Sequence, residues 1–442
     1  MSLQNSRHLP PEIIDTIIDE LQDEHTLKLC SLVSRACALR SQKNLFARIN
    51  ISLSEKRHCD ALSRLVSRLT PRLASYIQHL RINDFRQGSR TYLRDHPVQL
   101  LFDKLRTLRS FTMAIDTDLT AEQSLVLSQS LVRMLQRTQA EDVSIHNLDI
   151  SATYFVFHCP KLRRLDLQGS YMGPGTTPIA REIPNPLDNV PTMIGVHGKL
   201  EVLTLDSDSW EPLEMMYRAS RLGHSCLTLD YLKKLILHDD ECNALAFATE
   251  LALNSGDRLK SLTWYDESTS YGDGRPLSRF HLKRNVLCYT VAFVLPRSLT
   301  KFQHYTAVTR LPWLCTALEM NSGQNHLEDL ILVIYAVDIP ALTDPTFDFA
   351  VASLLGPCLG QLELLDLVLS GSGYSCLRRV SFSFQVPVST IPRDSDSQVG
   401  TVIDGLTGMF PRLRMKCELE THVISTQEGG MGFSFIEYSS LE

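Results

Sequence analysis

Few residues in this chain are placed to do chemistry. His158-Cys159 sets an imidazole beside a thiol, a pairing that can activate a nucleophile or begin a metal site, but Pro160 follows and a structural turn is the simpler reading. A zinc site needs four ligands, or three and a water, so this pair closes none. Asp239-Asp240-Glu241 is an acidic run that could hold a cation or a basic peptide, though carboxylates at a strand end are most often just a solvated loop. Trp210 and Trp264-Tyr265 offer aromatic surface of the kind that anchors protein interfaces. Trp264 also fits a packed core, because it takes an apolar position in a repeated phrase. The chain holds no GxSxG elbow, no GxxxxGK(S/T) phosphate loop, no HExxH and no CxxC pair. No catalytic residue, metal ligand or cofactor site is therefore assigned, and no cofactor is expected. The target-contact candidates are Trp210, Asp239, Asp240, Trp264 and Tyr265.

These candidates sit at the ends of a repeating element. The phrase LxxLxL appears at Leu162-Leu165-Leu167, Leu200-Leu203-Leu205, Leu232-Leu235-Leu237 and Leu362-Leu365-Leu367, and nearly so at Leu327-Leu330-Leu332. Degenerate copies stand at Ile77-Leu80-Ile82, Leu108-Phe111-Met113, Leu259-Leu262-Trp264, Leu299-Phe302 and Leu377-Val380-Phe382. The last two apolar positions are two apart, the alternation of a strand with one buried face, and the first lies on the approach turn. Between copies the apolar spacing turns helical: Leu62, Leu65, Val66, Leu69; Leu125, Leu131, Val132, Leu135; Leu245, Ala248, Leu251, Ala252; and Phe349, Ala352, Leu354, Leu355. Strand then helix, repeated, predicts a solenoid, although an ordinary α/β domain with Leu-rich turns shares the pattern. Two stretches break it. Ser170 to Gly198 is dense in Pro and Gly and predicts a long loop, and Thr390 to Gly400 predicts a short polar one.

Composition sets outer limits. The 442 residues are 43% hydrophobic and 21% charged, enough for a sizeable core and against disorder. A formal net charge of -6 gives no broad basic field for nucleic acid or anionic membrane. Eleven cysteines without short paired spacing fit reduced thiols. The chain starts with no basic-then-apolar signal pattern, and its apolar runs are far too short for a bilayer, so a soluble cytoplasmic or nuclear protein is expected.

Residues 9–49 read differently from the rest. Ile13, Ile14, Ile17, Ile18 and Leu21 recur at helical spacing behind Pro10-Pro11, and Glu12 sets negative charge at the positive end of the helix dipole. A second helix fits Thr26 to Val33, carrying Leu27, Cys30 and Val33. A third runs from Arg35 to about Ile49, with Leu39, Leu45, Phe46 and Ile49. Units of about 40 residues usually need a disulfide, a metal or a partner to be stable. Leu9-Pro10, Glu12-Ile13-Ile14, Ile17, Leu21, Leu27 and Cys30-Ser31-Leu32-Val33-Ser34-Arg35 resemble an F-box of the fungal type. The family carries Trp shortly after this Arg, where this chain has Ala36-Cys37.

The resemblance implies an F-box-like three-helix module at 1–50, binding a Skp-type adaptor and through it a cullin-based ubiquitin ligase. Its contacts would be Leu9, Pro10, Glu12, Ile13, Ile14, Ile17, Leu21, Leu27, Leu32, Val33 and Cys37. The repeat pattern behind it is similar to degenerate leucine-rich repeats. The expected fold is α/β: the helical module, a helical linker at 51–72, and an irregular leucine-rich-repeat-like solenoid, a horseshoe arc, at 73–442. The expected function is a substrate-recognition adaptor, not an enzyme, that holds a target protein and engages neither nucleic acid nor membrane. Two alternatives stay open: a repeat-based binding protein whose helices only cap the fold, and an enzyme without a readable motif.

Overall fold

The structure, a computed structural model, describes residues 10–21, 23–53, 56–83, 97–115, 121–138, 140–146, 159–168, 198–206, 227–239, 258–266, 298–307, 311–323, 325–335, 359–387, 403–426 and 435–439. The long loop expected at 170–198 and the polar one at 390–400 fall almost wholly outside these residues. So do the helices expected around Leu245 and Phe349. The chain divides into two compact units, Met1–Leu200 with Glu211–Thr228, and Glu201–Trp210 with Leu229–Glu442.

The first unit opens on three helices, α1 (Pro11–Glu20), α2 (Glu24–Val33) and α3 (Arg35–Ala47). The Pro10 carbonyl accepts from the N–H groups of Ile13 and Ile14 and starts α1. Asp23 caps α2, its carboxylate accepting from the Thr26 N–H at 2.6 Å, and the Ser34 hydroxyl caps α3 by accepting from the Cys37 N–H at 3.2 Å. Polar side chains tie α3 to α1. The Arg40 guanidinium donates to both Asp19 carboxylate oxygens, and Asn44 Nδ2 donates to the Ile18 carbonyl and to Asp19, each at 3.1 Å. Helix α3 ends at Ala47 and strand β1 (Arg48–Ser52) begins at the next residue. The third helix is thus shorter than expected. Ile49 and Ile51 alternate rather than follow a helical face, and the boundary drawn at residue 50 lies inside β1.

Behind β1 the first unit alternates helix and strand: α4 (Lys56–Arg68), α5 (Pro71–Ala74), β2 (His79–Asn83), α6 (Pro97–Lys104), β3 (Ser110–Ala114), α7 (Ala121–Thr138), β4 (Asp142–His146) and β5 (Arg164–Gln168). Strands β1 to β5 pair side by side, all parallel. One face is the core, where Leu80, Ile82, Phe111, Met113, Val143, Ile145, Leu165 and Leu167 meet the helices. Phe102 of α6 packs edge-on against Phe111 at 5.7 Å. A two-residue parallel bridge, β6 (Gly198–Lys199) with β8 (Leu227–Thr228), completes the unit.

The second unit repeats the plan with β7 (Val202–Asp206), β9 (Lys234–Asp239), β10 (Ser261–Asp266), β11 (Lys301–Ala307), β12 (Asp329–Tyr335), β13 (Arg379–Pro387) and β14 (Glu418–Thr426), parallel neighbours in that order. A final strand, β15 (Phe435–Ser439), runs antiparallel to β14. Helices α8 (Leu311–Met320), α9 (Leu359–Ser370) and α10 (Pro411–Lys416) pack in sequence. Nine of the ten expected strand phrases form strands.

The exception is Leu362-Leu365-Leu367, which lies in α9. Leu362, Leu365 and Leu369 are buried while Leu367 is 51% exposed, so the run obeys the helical period and not the alternation of a strand.

In both units each strand start is stitched to the one before. The Gln78 carbonyl accepts from the N–H groups of Arg109 and Ser110 at 2.7 and 3.0 Å, and the Arg109 carbonyl from Glu141 and Asp142 at 2.8 and 3.0 Å. In the second unit the Lys233 carbonyl accepts from Lys260 and Ser261 at 2.9 and 3.0 Å, and the Glu328 carbonyl from Arg378 and Arg379 at 2.8 and 3.0 Å. Helices are stitched as well, by cations that satisfy the last carbonyls of an earlier helix. Lys104 of α6 donates to Val66 and Leu69, Arg137 of α7 to Phe102 and Leu105, and Lys416 of α10 to Leu369 and Gly371. Asp366 of α9 returns the favour, accepting from the Arg412 and Leu413 N–H groups that open α10.

Two expected outcomes test these ties. Lys416→Met keeps the aliphatic stem and removes both donated bonds, and should lower the unfolding free energy by about 1.5 kcal/mol. A urea midpoint equal to the parent's would remove Lys416 from the stabilising contacts. The Arg40 hydrogen bonds hold the Asp19 carboxyl below its usual pKa. A carboxylate depressed by folding contributes above its unfolded pKa, about 3.9, and that contribution fades as pH falls toward the folded value. Arg40→Gln should therefore cost the helical module about 0.5 kcal/mol at neutral pH, discounted for solvent exposure, and almost nothing near pH 3. Amide exchange across α1 and α3 at both pH values would read the difference.

Candidate functional site

The first candidate surface is apolar and belongs to the three-helix module. In α1 the run of isoleucines divides between two ridges four residues apart. Ile18 is 3% exposed and Ile14 is half-buried, whereas Ile13 and Ile17 are 47% and 51% exposed. Leu32 and Val33 end α2 at 81% and 76% exposure, and Leu29 and Leu39 also face solvent. Of the twelve large hydrophobics exposed among the described residues, these six lie between residues 13 and 39. Pro10 and Glu12 are exposed beside them, and Leu21 and Cys37 are half-buried. Leu27 is a core residue at the packing of α2 on α3 and is withdrawn as a contact residue. Leu9 lies outside the described residues. Leu29 lies off the stripe that Leu27, Cys30 and Val33 share along α2, so one-sided spacing does not mark it.

The second surface is the sheet face opposite the core helices. In the first unit it is polar except for Ala114. One registered row runs Asn50, Arg81, Thr112, Ser144, Asp166, with Arg48, His79, Ser110, Asp142, Arg164 in the row before. Burial, and then the charges of Arg48 and Arg109, hold the His79 imidazole below its usual pKa. Ser144, His146 and Asp166 meet here. Ser144 Oγ lies 2.8 Å from His146 Nε2 and donates to Asp166 Oδ2 at 3.0 Å, and that oxygen is 3.3 Å from the same Nε2. A nucleophilic relay needs the carboxylate on Nδ1 and the hydroxyl on Nε2. With both on one nitrogen the trio is a hydrogen-bond cluster suited to polar recognition. Sequence reading missed it because Asp166 joins Ser144 only through the pairing of β4 with β5.

In the second unit the same face carries aromatic and charged groups. Strand alternation separates the two aromatics expected to act together. Trp264 points into the core, 5% exposed, against His304 at 4.6 Å and edge-on to Trp313 at 5.2 Å, so it is withdrawn as a target contact. Tyr265 points the other way and stacks on Tyr305, centroids 4.1 Å apart, while Gln303 donates to the Tyr305 hydroxyl at 2.8 Å. Burial and then the Tyr265 hydroxyl raise the Tyr305 pKa, so that phenol stays protonated. Asp239 closes β9. Its side chain, Asp240, Glu241 and Trp210 lie outside the described residues.

Cys159 is buried in a turn, its carbonyl accepting from the Leu162 N–H at 3.1 Å, and His158 lies outside the described residues. Burial pushes the Cys315 thiol up to about 12. Among the described residues no group of three or more His, Cys, Asp or Glu side chains could hold a metal ion, and no helix is long and apolar enough to cross a membrane. Compared with known proteins, the chain matches no family model and no curated protein.

Proposed function

We propose that this chain is a substrate-recognition adaptor of an SCF-type ubiquitin ligase, with an F-box-like module at its start and degenerate leucine-rich repeats behind it. The observation that carries the reading is the crowding of exposed Ile13, Ile17, Leu29, Leu32, Val33 and Leu39 on a module of three short helices. A small helical unit that leaves this much aliphatic surface in water gains by covering it, and each such side chain contributes about 1.5 to 3 kcal/mol on full burial. The order of the residues, Leu9-Pro10, paired Ile, then Cys30 to Arg35, supports a Skp-type adaptor as the cover. Helices that merely capped a repeat array would turn their aliphatic ridges inward.

The mechanism is proximity. The module binds the adaptor, the strand face binds a target, and tethering raises the effective concentration of the target's lysines near a ubiquitin-charged enzyme. In this reading the chain transfers nothing itself. Within the first unit the module's positioning rests on rigid parts, since α3 runs directly into β1 and the starts of β2 to β5 are stitched one to the next.

Because Ile17 and Leu32 are outward, both can be made polar without opening the core. Ile17→Gln with Leu32→Gln should weaken co-purification with a Skp-type adaptor at least tenfold, a loss of roughly 1.4 kcal/mol or more, while the melting temperature stays within about 1 °C of the parent. Undiminished adaptor binding by that folded double variant would sink the docking assignment.

A further inference from the structure

We propose that the face of β9, β10 and β11 opposite the core takes an extended acidic protein segment, its carboxylate or phosphate seated over Ser261 between Lys234 and Lys301 and an apolar or aromatic side chain of the same segment lying on the Tyr265–Tyr305 stack. This rests on the reading of the strand face as the target-binding surface and adds the chemistry of what it binds. Lys234, Ser261 and Lys301 occupy one registered row on three adjacent parallel strands. Strands lie about 4.8 Å apart, so the two lysine Cα atoms stand about 10 Å apart with a short hydroxyl side chain between them. That spacing lets two ammonium groups bracket an anion above a hydroxyl donor.

The surrounding charges leave these two cations available. Asp329, the next residue in the row beyond Lys301, is engaged by Arg379, Nη2 to Oδ2 3.1 Å. Lys233 is paired with Glu201 at 3.1 Å, and Arg258 lies over the Tyr231 ring at 3.8 Å. Val202 flanks Lys234 on its other side. Among the described residues no ion pair engages Lys234 or Lys301. The whole chain carries a formal net charge of -6, so no general field draws anions in, and the local pair has to supply the attraction.

The second anchor fixes a length. Tyr265 and Tyr305 stand in one row, four residues along their strands from Ser261 and Lys301. At about 3.3 Å per residue that is roughly 13 Å. An extended segment covers it in about four residues. Between the anchors lie Ile236, Thr263 and Gln303 in one row, with Thr263 only 5% exposed between its neighbours. The occupant is therefore a strand-like stretch with an acidic or phosphorylated residue about four positions from an aromatic or large aliphatic one. A folded domain with a flat surface would not reach between the two lysines, and a nucleic acid would ask for a run of cations that this face lacks.

The test selects random peptides displayed on phage against the immobilised full-length chain, then measures the enriched peptides by fluorescence anisotropy. The expected consensus pairs an acidic residue with an aromatic or large aliphatic one about four positions away. Lys234→Glu with Lys301→Glu should weaken these peptides at least tenfold, as should Ser261→Asp, which fills the anion seat with its own carboxylate, with melting unchanged in both. A consensus without an acidic position, or no enrichment at all, overturns the proposal. Peptides unaffected by the lysine and serine variants but lost with Tyr265→Ser overturn the anion seat and leave the strand face as recognition surface. Peptides unaffected by every one of these variants overturn both.

Discussion

One backbone contact sets the rest of this structure: the carbonyl just before a strand accepts from two successive amides of the next strand's first residues. It recurs eight times among the described residues, at 2.7 to 3.1 Å. A carbonyl has two lone pairs, and using both at the same level at these eight junctions makes the strands they join start in register. Parallel pairing then follows without a register choice, and side chains fall into straight rows across neighbouring strands. Rows are what make a sheet face usable. Lysine beside serine beside lysine, or serine beside aspartate, is a product of alignment and of nothing in the local sequence.

The helices solve a second problem. Each returning helix ends with carbonyls that have no partner, and burying them bare would cost about 1 to 3 kcal/mol apiece. Lys104, Arg137 and Lys416 answer this from a later helix, and Asn44 does the same for α1 from α3. Each cap also binds two neighbours together, so satisfying the backbone and packing the helices are one event. Burial holds the Arg137 and Lys416 pKa values below their usual range, the electrostatic cost of using a cation as a clamp.

Much of this was legible in the chain because its information is local. The last two apolar positions of LxxLxL state a strand with one buried side, and Leu165, Leu167, Leu235 and Leu237 are buried as that alternation requires. Where two periods fit the same letters, sequence alone could not choose. Leu362-Leu365-Leu367 satisfies the strand phrase, yet Leu359, Leu362, Leu365 and Leu369 also satisfy a helix, and burial of Leu369 with exposure of Leu367 decided it. Strands β4 and β14 escaped notice because Ala140 and Thr421 stand where leucine was sought. The candidate surfaces were half legible. Ile13, Ile17, Leu32, Val33 and Tyr265 face outward, but Leu27 and Trp264 could be told from them only by knowing which neighbours cover each face. The Ser144, His146 and Asp166 cluster and the Lys234, Ser261 and Lys301 row depend on pairing between strands, which no spacing along the chain encodes.

The junction at Ala47 and Arg48 has a mechanical meaning. With helix passing into strand and no residue between, there is nowhere to place a swivel, and the bearing of the helical module on the first strand is written into the number of residues in α3. One residue more or fewer would turn the Ile13 and Ile17 ridge by about 100° and shift it by about 1.5 Å. Insertions elsewhere lengthen loops and leave aim unchanged. In this one helix, chain length itself is a pointing angle, and drift in it would be felt as misdirection long before it was felt as instability.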